Sequence, residues 1–164
     1  MSHRPRKRLG QNFLHDQSVI ARILDSVDPQ PGEHLAEIGP GQGALTNGSL
    51  QRAESPDAIE LDRDRIEPLL QRCASLGTPN VRNADALCFD FHTLIRDGQR
   101  LRLVGNLPYN ISTPVLFHLI DQADAVYDMH FMLQNEVVDR TPATVAGHLV
   151  SGTGAPRNRA PPVR

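Results

Sequence analysis

The chain has 164 residues, of which 39 % are hydrophobic and 22 % charged, and its formal net charge is −2. This length allows one domain with a hydrophobic core, and no apolar run approaches the roughly 20 residues of a membrane helix. The first ten residues, MSHRPRKRLG, lack the apolar segment of a secretory signal, so we expect a cytoplasmic protein with reduced cysteines. We expect no bound metal, because the seven histidines and two cysteines lack metal-ligand spacing. We also expect a monomer.

Positive charge is concentrated at the two ends of the chain. Four of the 17 basic residues lie in the first eight positions and three in the last eight, which leaves ten basic and all 19 acidic residues between them. Because the rest of the chain is acidic, a polyanion would have to bind at a local basic patch. The alternative is that the basic N-terminus is only a solvated, flexible arm. The clearest patch is the N-terminal arm, residues 1–8, with Arg4, Arg6, Lys7 and Arg8.

Strands and helices are predicted to alternate along the chain. Helices are predicted over 17–27, with Asp16 as the N-cap, and over 42–53, 63–75 and 112–122. Strands are predicted over 33–38, 57–61, 80–84, 101–105 and 125–133. Pro68 is awkward inside the third helix, whereas Pro114 is tolerable in the first turn of the fourth. This order predicts an α/β fold with a parallel sheet and a binding crevice at the carboxyl ends of its strands.

The composition changes after Arg140. The stretch TPATVAGHLVSGTGAPRNRAPPVR has four prolines and no sustained apolar period. We therefore expect residues 9–140 to form the folded domain and residues 141–164 to form a disordered tail.

A glycine-rich turn, EIGPGQG, follows the first predicted strand. Gly39 and Gly41 allow a tight turn and a close approach of the backbone to a ligand. Glu60 ends the next strand about 20 residues later, the spacing of a carboxylate that binds a ribose diol. Asp85, after the third strand, could accept a hydrogen bond from the exocyclic amine of an adenine. The spacing predicts an adenosine site without separating a dinucleotide from S-adenosylmethionine, and a tight turn without a ligand is the alternative.

The segment NLPY follows the fourth predicted strand. The side-chain oxygen of Asn106 can accept a hydrogen bond from an amino group, and Pro108 restricts Leu107 so that its carbonyl is a plausible second acceptor. Tyr109 offers a flat face on which a flipped base can stack. Two acceptors on an exocyclic amine favour a pyramidal nitrogen whose lone pair can attack a methyl sulfonium, so positioning replaces a strong base. A proline loop with an aromatic plug is the alternative.

Six segments in order resemble the bacterial ribosomal RNA adenine dimethylases. They are RLGQNFLHD, EIGPGQGALT, IELDRD, NADAL, VGNLPYNISTPVLFHL and MLQNEVVDR, within residues 8–140. The resemblance implies a Rossmann-like methyltransferase fold with S-adenosylmethionine as cofactor. It also implies dimethylation at N6 of two adjacent adenines in the 3′-terminal hairpin loop of small-subunit rRNA, with a role in small-subunit biogenesis.

The matching motifs imply individual roles. The implied cofactor-binding residues are Asn12, Leu14, Gly39, Glu60, Asp85 and Asn106, together with Gly41 of the same glycine loop. The implied catalytic loop is Asn106, Leu107, Pro108 and Tyr109. Phe13 would help to line the N-terminal segment, and the basic arm becomes an expected RNA contact.

The resemblance ends at Arg140, where family members continue with further strands and a helical C-terminal domain that engages RNA. We therefore expect a truncated or frameshifted chain with an incomplete sheet, whose fifth strand is an unpaired edge. The alternatives are a non-catalytic RNA-binding ribosome-assembly factor, an inactive truncated product, and an N6-adenine DNA methyltransferase, for which no target-reading domain is evident.

Overall fold

The computed structural model describes residues 16–133 and 150–151 of the chain. Its helices are α1 (Gln17–Val27), α2 (Ala44–Leu50), α3 (Ile66–Cys73) and α4 (Tyr109–Asp121). Its strands are β1 (Leu35–Ile38), β2 (Asp57–Glu60), β3 (Asn80–Asn83), β4 (Leu101–Asn106), β5 (Val126–Leu133) and β6 (Val150–Ser151). Short 3₁₀ turns cover Arg63–Arg65, Phe91–Leu94 and Ala123–Ala125. Among the described helices, none is long and apolar enough to cross a membrane.

The strands form one sheet in the order β3-β2-β1-β4-β5-β6, and every neighbouring pair is parallel. From β1 the chain moves outward through β2 to β3 and then returns to β4 on the other side of β1. The strand order therefore reverses between β1 and β4, which is where open α/β sheets have their ligand crevice. The parallel α/β architecture predicted from the sequence is confirmed.

Helices cover both faces of the sheet. On one face, Val115 and Leu119 of α4 pack in one cluster with Phe91, Leu103 and Phe131. On the other face, apolar residues of α1 and α2 pack with strand residues, namely Ile20, Ile23, Leu24, Val27, Leu35, Leu45 and Val104. Because both faces are covered, β1 and β2 are buried at every position, as the strands of parallel sheets are.

Two helix starts differ from the prediction. Asp62 accepts a hydrogen bond from the Asp64 N–H (3.1 Å) and begins a 3₁₀ turn, so α3 starts only at Ile66. Pro68 is then the third residue of α3. The N–H groups of the first turn have no acceptor within the helix, so a proline there costs no hydrogen bond. The Pro108 carbonyl accepts hydrogen bonds from the N–H groups of Ile111 and Ser112, so α4 starts at Tyr109.

The earlier start of α4 changes the position of Pro114. This residue is the sixth of the helix and not part of its first turn, so the prediction for it was wrong. In contrast, the predicted N-cap of α1 is confirmed, because the Asp16 carboxylate accepts a hydrogen bond from the Ser18 N–H at 2.8 Å.

The predicted tail, 141–164, lies outside the described residues except for Val150 and Ser151. These two residues form β6 and pair with Met132 and Leu133 of β5. They therefore belong to the sheet, and the expectation that β5 is an unpaired edge was wrong at this point. The boundaries of the arm, the domain and the tail stay predictions.

Candidate functional site

The carboxyl ends of four strands meet at one edge of the sheet. Ile38 of β1 pairs with Ile59 of β2 and with Gly105 of β4, so Gly39, Glu60 and Asn106 follow in adjacent positions. The Gly39 N–H continues the ladder by donating to the Ile59 carbonyl at 2.9 Å. This edge, from β3 to β4, is called the carboxyl edge below.

The glycine loop, residues 39–43, connects β1 to α2, and its three glycines have left-handed backbone conformations. Gly39, Gly41 and Gly43 have φ values of 67°, 55° and 86°, which non-glycine residues rarely adopt. A Cβ on Gly43 would lie 2.6 Å from Leu69 Cδ1, whereas a Cβ on Gly39 would meet nothing within 4 Å. The loop is therefore packed against α3 at Gly43 and open at Gly39, where a ligand can approach the backbone.

The Glu60 carboxylate is fixed by two backbone donors. Its Oε2 accepts a hydrogen bond from the Gly41 N–H (3.2 Å), and its Oε1 accepts one from the Asp62 N–H (2.9 Å). The residue is only 5 % exposed. Because each carboxylate oxygen has a second lone pair, both can still accept from hydroxyl groups of a ligand. Leu61, the next residue, is 64 % exposed and gives this edge an apolar surface.

A second carboxyl group lies beneath the loop. Glu37 of β1 is 3 % exposed, and the Thr46 hydroxyl of α2 donates to its Oε2 at 2.6 Å. Burial raises the pKa of Glu37 to about 7, an effect that the Thr46 hydrogen bond opposes and the charge of Glu60 reinforces. Glu37 and Thr46 were not predicted as site residues, although a glutamate inside the apolar run HLAEI was a signal.

Asp85 lies in the turn that follows β3. Its Oδ1 accepts a hydrogen bond from the Leu87 N–H at 2.9 Å, and its backbone carbonyl accepts one from the Cys88 N–H at 3.0 Å. One carboxylate oxygen is thus used to form the turn. The predicted contact with an adenine amine stays a prediction.

The NLPY segment connects β4 to α4. Asn106 ends β4 opposite Met132 of β5, and the Leu107 N–H donates to the Met132 carbonyl at 3.2 Å. Leu107 is 3 % exposed, and its side chain belongs to the core. The Pro108 carbonyl is occupied by the first turn of α4. Asn106 and Leu107 therefore supply the candidate acceptors, and the roles of all four residues, including Tyr109, stay predictions.

The remaining predicted site residues lie outside the described part of the chain. They are Asn12 and Leu14 of the QNFL motif and Arg4, Arg6, Lys7 and Arg8 of the arm. Their cofactor and RNA contacts stay predictions.

A charged network lies at the opposite, amino edge of the sheet. Arg102 of β4 is 6 % exposed, and its guanidinium donates to Asp128 (2.7 Å) and to Glu33 (2.6 Å). Although burial opposes the effect, hydrogen bonds from His130 and Arg102 lower the pKa of Asp128 to about 2. This network joins β4 to β5 and is remote from the glycine loop along the strands.

The parallel sheet, the glycine loop and the carboxylate at the end of β2 define a Rossmann-like fold, and the similarity to solved methyltransferases makes it a Rossmann-like methyltransferase fold. Among solved structures, the chain is similar to the 23S rRNA methyltransferase ErmE, with a TM-score of 0.69 and 26 % identity over 83 % of this chain and 53 % of that one. It is also similar to a dimethyladenosine transferase from Plasmodium falciparum, with a TM-score of 0.65 and 26 % identity over 78 % of this chain and 45 % of the other.

The sequence comparisons define the family. The model of the ribosomal RNA adenine dimethylase family matches residues 2–157, a longer range than the six motifs span. The chain is 55 % identical to ribosomal RNA small subunit methyltransferase A of Nitrosococcus oceani, over 90 % of this chain and 56 % of that protein. Identity to the Pseudomonas aeruginosa protein of the same name is 56 %, over 88 % and 54 %. The chain belongs to the ribosomal RNA adenine dimethylase family and spans about half the length of these relatives.

Proposed function

We propose that this chain binds S-adenosylmethionine at the carboxyl edge and transfers methyl groups to N6 of adenines in ribosomal RNA. The observation that carries the proposal is the hydrogen bond between the glycine loop and the Glu60 carboxylate. It joins the two groups that would hold an adenosine into one unit at the topological switch point.

The residues at this edge fit the cofactor. Glu60 presents two oriented acceptors for a ribose diol, and Leu61 offers an apolar surface for a base. The backbone at Gly39 is open, since a Cβ there would meet nothing within 4 Å, so a ligand can approach it closely. Further contacts are assigned to Asn12, Leu14, Asp85 and Asn106. When bound, S-adenosylmethionine supplies an electrophilic methyl group.

The NLPY segment would position the adenine amine. The Asn106 side-chain oxygen and the Leu107 carbonyl accept its two N–H groups, while Tyr109 stacks on the ring of the flipped base. These acceptors hold the nitrogen in the pyramidal geometry in which its lone pair is available. The methyl carbon would bond to this nitrogen as its bond to sulfur breaks, S-adenosylhomocysteine would leave, and water would take the proton that the nitrogen loses. Because the NLPY segment contains no strong base, orientation and fixed dipoles would supply most of the rate.

The proposed substrate is the 3′-terminal hairpin loop of small-subunit rRNA, within an immature small ribosomal subunit. Two adjacent adenines would each receive two methyl groups, and the product would serve subunit biogenesis. The relatives' name, ribosomal RNA small subunit methyltransferase A, supports small-subunit rRNA as the substrate, and the choice of the hairpin loop rests on the resemblance of the motifs. The basic arm, residues 1–8, would contact the RNA backbone, and the protein would act as a cytoplasmic monomer.

The proposal is tested by incubating the chain with undermethylated small-subunit precursors and methyl-labelled S-adenosylmethionine. The RNA is then digested, and N6,N6-dimethyladenosine is measured by mass spectrometry. We expect label from the native chain and from Asn110→Ala, which is exposed in the first turn of α4. The rate of methyl transfer should be roughly 100-fold or more lower in Asn106→Ala. Absence of dimethyladenosine would contradict the proposal, and precursor binding without label would favour the assembly factor.

A further inference from the structure

The side chain of Asn83 bridges two backbone carbonyls at the carboxyl edge. Asn83 is the last residue of β3 and pairs with Glu60 in the sheet. Its Nδ2 donates to the Glu60 carbonyl at 2.9 Å and to the Leu61 carbonyl at 3.1 Å. The two hydrogens of one amide group therefore hold two successive peptide units of the neighbouring chain segment.

These two peptide units carry the groups assigned to the adenosine. Glu60 ends β2, and the chain leaves the sheet at Leu61, so the regular ladder to β3 stops at this point. The Ala84 N–H donates to the Glu60 carbonyl at 3.1 Å but leaves the Leu61 carbonyl to another donor. Asn83 extends the attachment to β3 by one residue beyond the strand.

The hydrogen bonds of the Glu60 carboxylate do not replace this attachment. One joins it to Gly41 on the β1 side, and the other closes the local turn to Asp62. Neither fixes the direction in which Leu61 leaves β2 relative to β3. An aspartate in place of Asn83 would have the same shape but would face two carbonyl oxygens without a donor.

We infer that Asn83 is a positioning residue for cofactor recognition: it holds the Glu60 and Leu61 carbonyls and so orients the carboxylate and the apolar side chain toward the adenosine. The inference rests on the proposed function and adds a residue that makes no contact with the ligand. Because it acts through Glu60, its loss should affect recognition of the ribose diol more than overall stability.

Asn80 provides a matched control in the same strand. It is the first residue of β3, and its Nδ2 donates to the Ser55 carbonyl at 3.4 Å, at the end of the strand remote from the site. Asn83→Ala, Asn83→Asp and Asn80→Ala are therefore compared by isothermal titration. The ligands are S-adenosylmethionine, 5′-methylthioadenosine and 2′-deoxy-5′-methylthioadenosine, and thermal unfolding is recorded for each variant.

Both Asn83 variants should bind S-adenosylmethionine about 10-fold more weakly, while Asn80→Ala should stay within about twofold of the native chain. The native preference for the ligand with the 2′-hydroxyl should also decrease in the Asn83 variants, because the orientation of Glu60 is lost. If the alanine variant does not fold, the Asp variant, which keeps the shape, provides the result.

Native affinity and native preference in both Asn83 variants would overturn the inference and leave the proposed function intact. An equal loss for both methylthioadenosines, together with a lower unfolding temperature, would make Asn83 a purely structural residue and would also overturn it. Failure of the native chain to bind S-adenosylmethionine would instead overturn the proposed function, and this inference with it.

Discussion

Gly41 and Glu60 are joined by a hydrogen bond from the Gly41 N–H to the Glu60 carboxylate, with an N···Oε2 distance of 3.2 Å. The bond links the loop after β1 to the end of β2. A change in the orientation of either group should therefore affect the other, and under the proposed function the pair would act as one recognition unit.

Replacement of Glu60 by Gln should weaken S-adenosylmethionine binding by about 10-fold or more. The two carboxylate oxygens accept hydrogen bonds from two backbone N–H groups. A glutamine has a single acceptor oxygen, so its amide nitrogen would face one of these N–H groups. Isothermal titration measures the effect. Glu67→Gln on the exposed side of α3 is the control and should bind normally. Equal affinity of the two variants would show that Glu60 is not part of the site.

Replacement of Gly105 by Ala should destabilise the sheet. A Cβ at this position would lie 2.7 Å from the Ile38 carbonyl oxygen and 3.4 Å from the Phe131 ring, so β1 and β4 would have to separate. We expect the free energy of unfolding to fall by roughly 2 kcal/mol or more, measured by urea denaturation.

Gly98→Ala is the matched control, because a Cβ there meets nothing within 4 Å and only the φ of +69° is unfavourable. Its cost should be about 1 kcal/mol. If both variants lose the same unfolding free energy, the short distance between β1 and β4 does not explain why residue 105 is a glycine.

The buried Glu37 should make stability depend on pH near neutrality. Burial and the charge of Glu60 raise its pKa from 4.5 to about 7. The folded state therefore binds the proton more tightly than the unfolded state, so this contribution to stability is present below pH 4.5 and is lost as the pH rises through about 7. The full difference is about 3 kcal/mol.

Glu37→Gln keeps the neutral form at every pH and serves as the test. The unfolding free energy of the variant minus that of the native chain should increase between pH 5 and pH 8. Groups remote from Glu37 are the same in both proteins, so their contributions cancel in this difference. A difference that does not change with pH would show that Glu37 is ionised throughout.

Loss of Asp128 should destabilise the amino edge. Asp128→Asn leaves the buried Arg102 guanidinium with Glu33 as its remaining carboxylate partner in the network. We expect the unfolding free energy to fall by about 3 kcal/mol. The exposed pair of Asp25 and Arg52 is the control, and Asp25→Asn should cost under about 1 kcal/mol. Similar costs would contradict a special role of the buried network.

The pKa of Asp128 gives the same network a pH dependence of the opposite sign. Its pKa is lowered from 3.8 to about 2 in the folded state. The contribution of Asp128 is thus present above pH 3.8 and is lost as the pH falls toward 2. Acid unfolding of Asp128→Asn should accordingly be less steep than that of the native chain, and equal slopes would contradict the assignment.

The strands were the most predictable part of the fold. Apolar runs such as LRLVG are bounded by polar or glycine residues, and the predicted limits agree with β1 to β5 to within two residues, although β3 is polar and not buried. Helix starts were less predictable, because Pro108 begins α4 early and Asp62 begins a 3₁₀ turn before α3. The start at Pro108 depends on backbone hydrogen bonds and the start at Asp62 on a side-chain cap, and the periodicity of apolar residues encodes neither.

The site was predictable where one motif marks one strand end. Gly39, Gly41, Glu60 and Asn106 could be assigned to one edge because parallel strands share the direction of their carboxyl ends. Asn83 and Thr46 could not, since their partners lie 23 and 9 residues away and the contacts depend on the folded sheet. Arg102 lies in an apolar strand, and its partners Glu33 and Asp128 are likewise distant in sequence, so the network could not be predicted.

The central claim is that S-adenosylmethionine binds at the carboxyl edge of this chain. A two-dimensional ¹H–¹⁵N NMR titration of the native protein with S-adenosylmethionine tests it most directly. We predict saturable shifts of the Gly39, Gly41 and Leu61 amides, while the His34 and Arg102 amides at the amino edge stay unchanged. Absence of saturable shifts, or shifts confined to the amino edge, would contradict the claim.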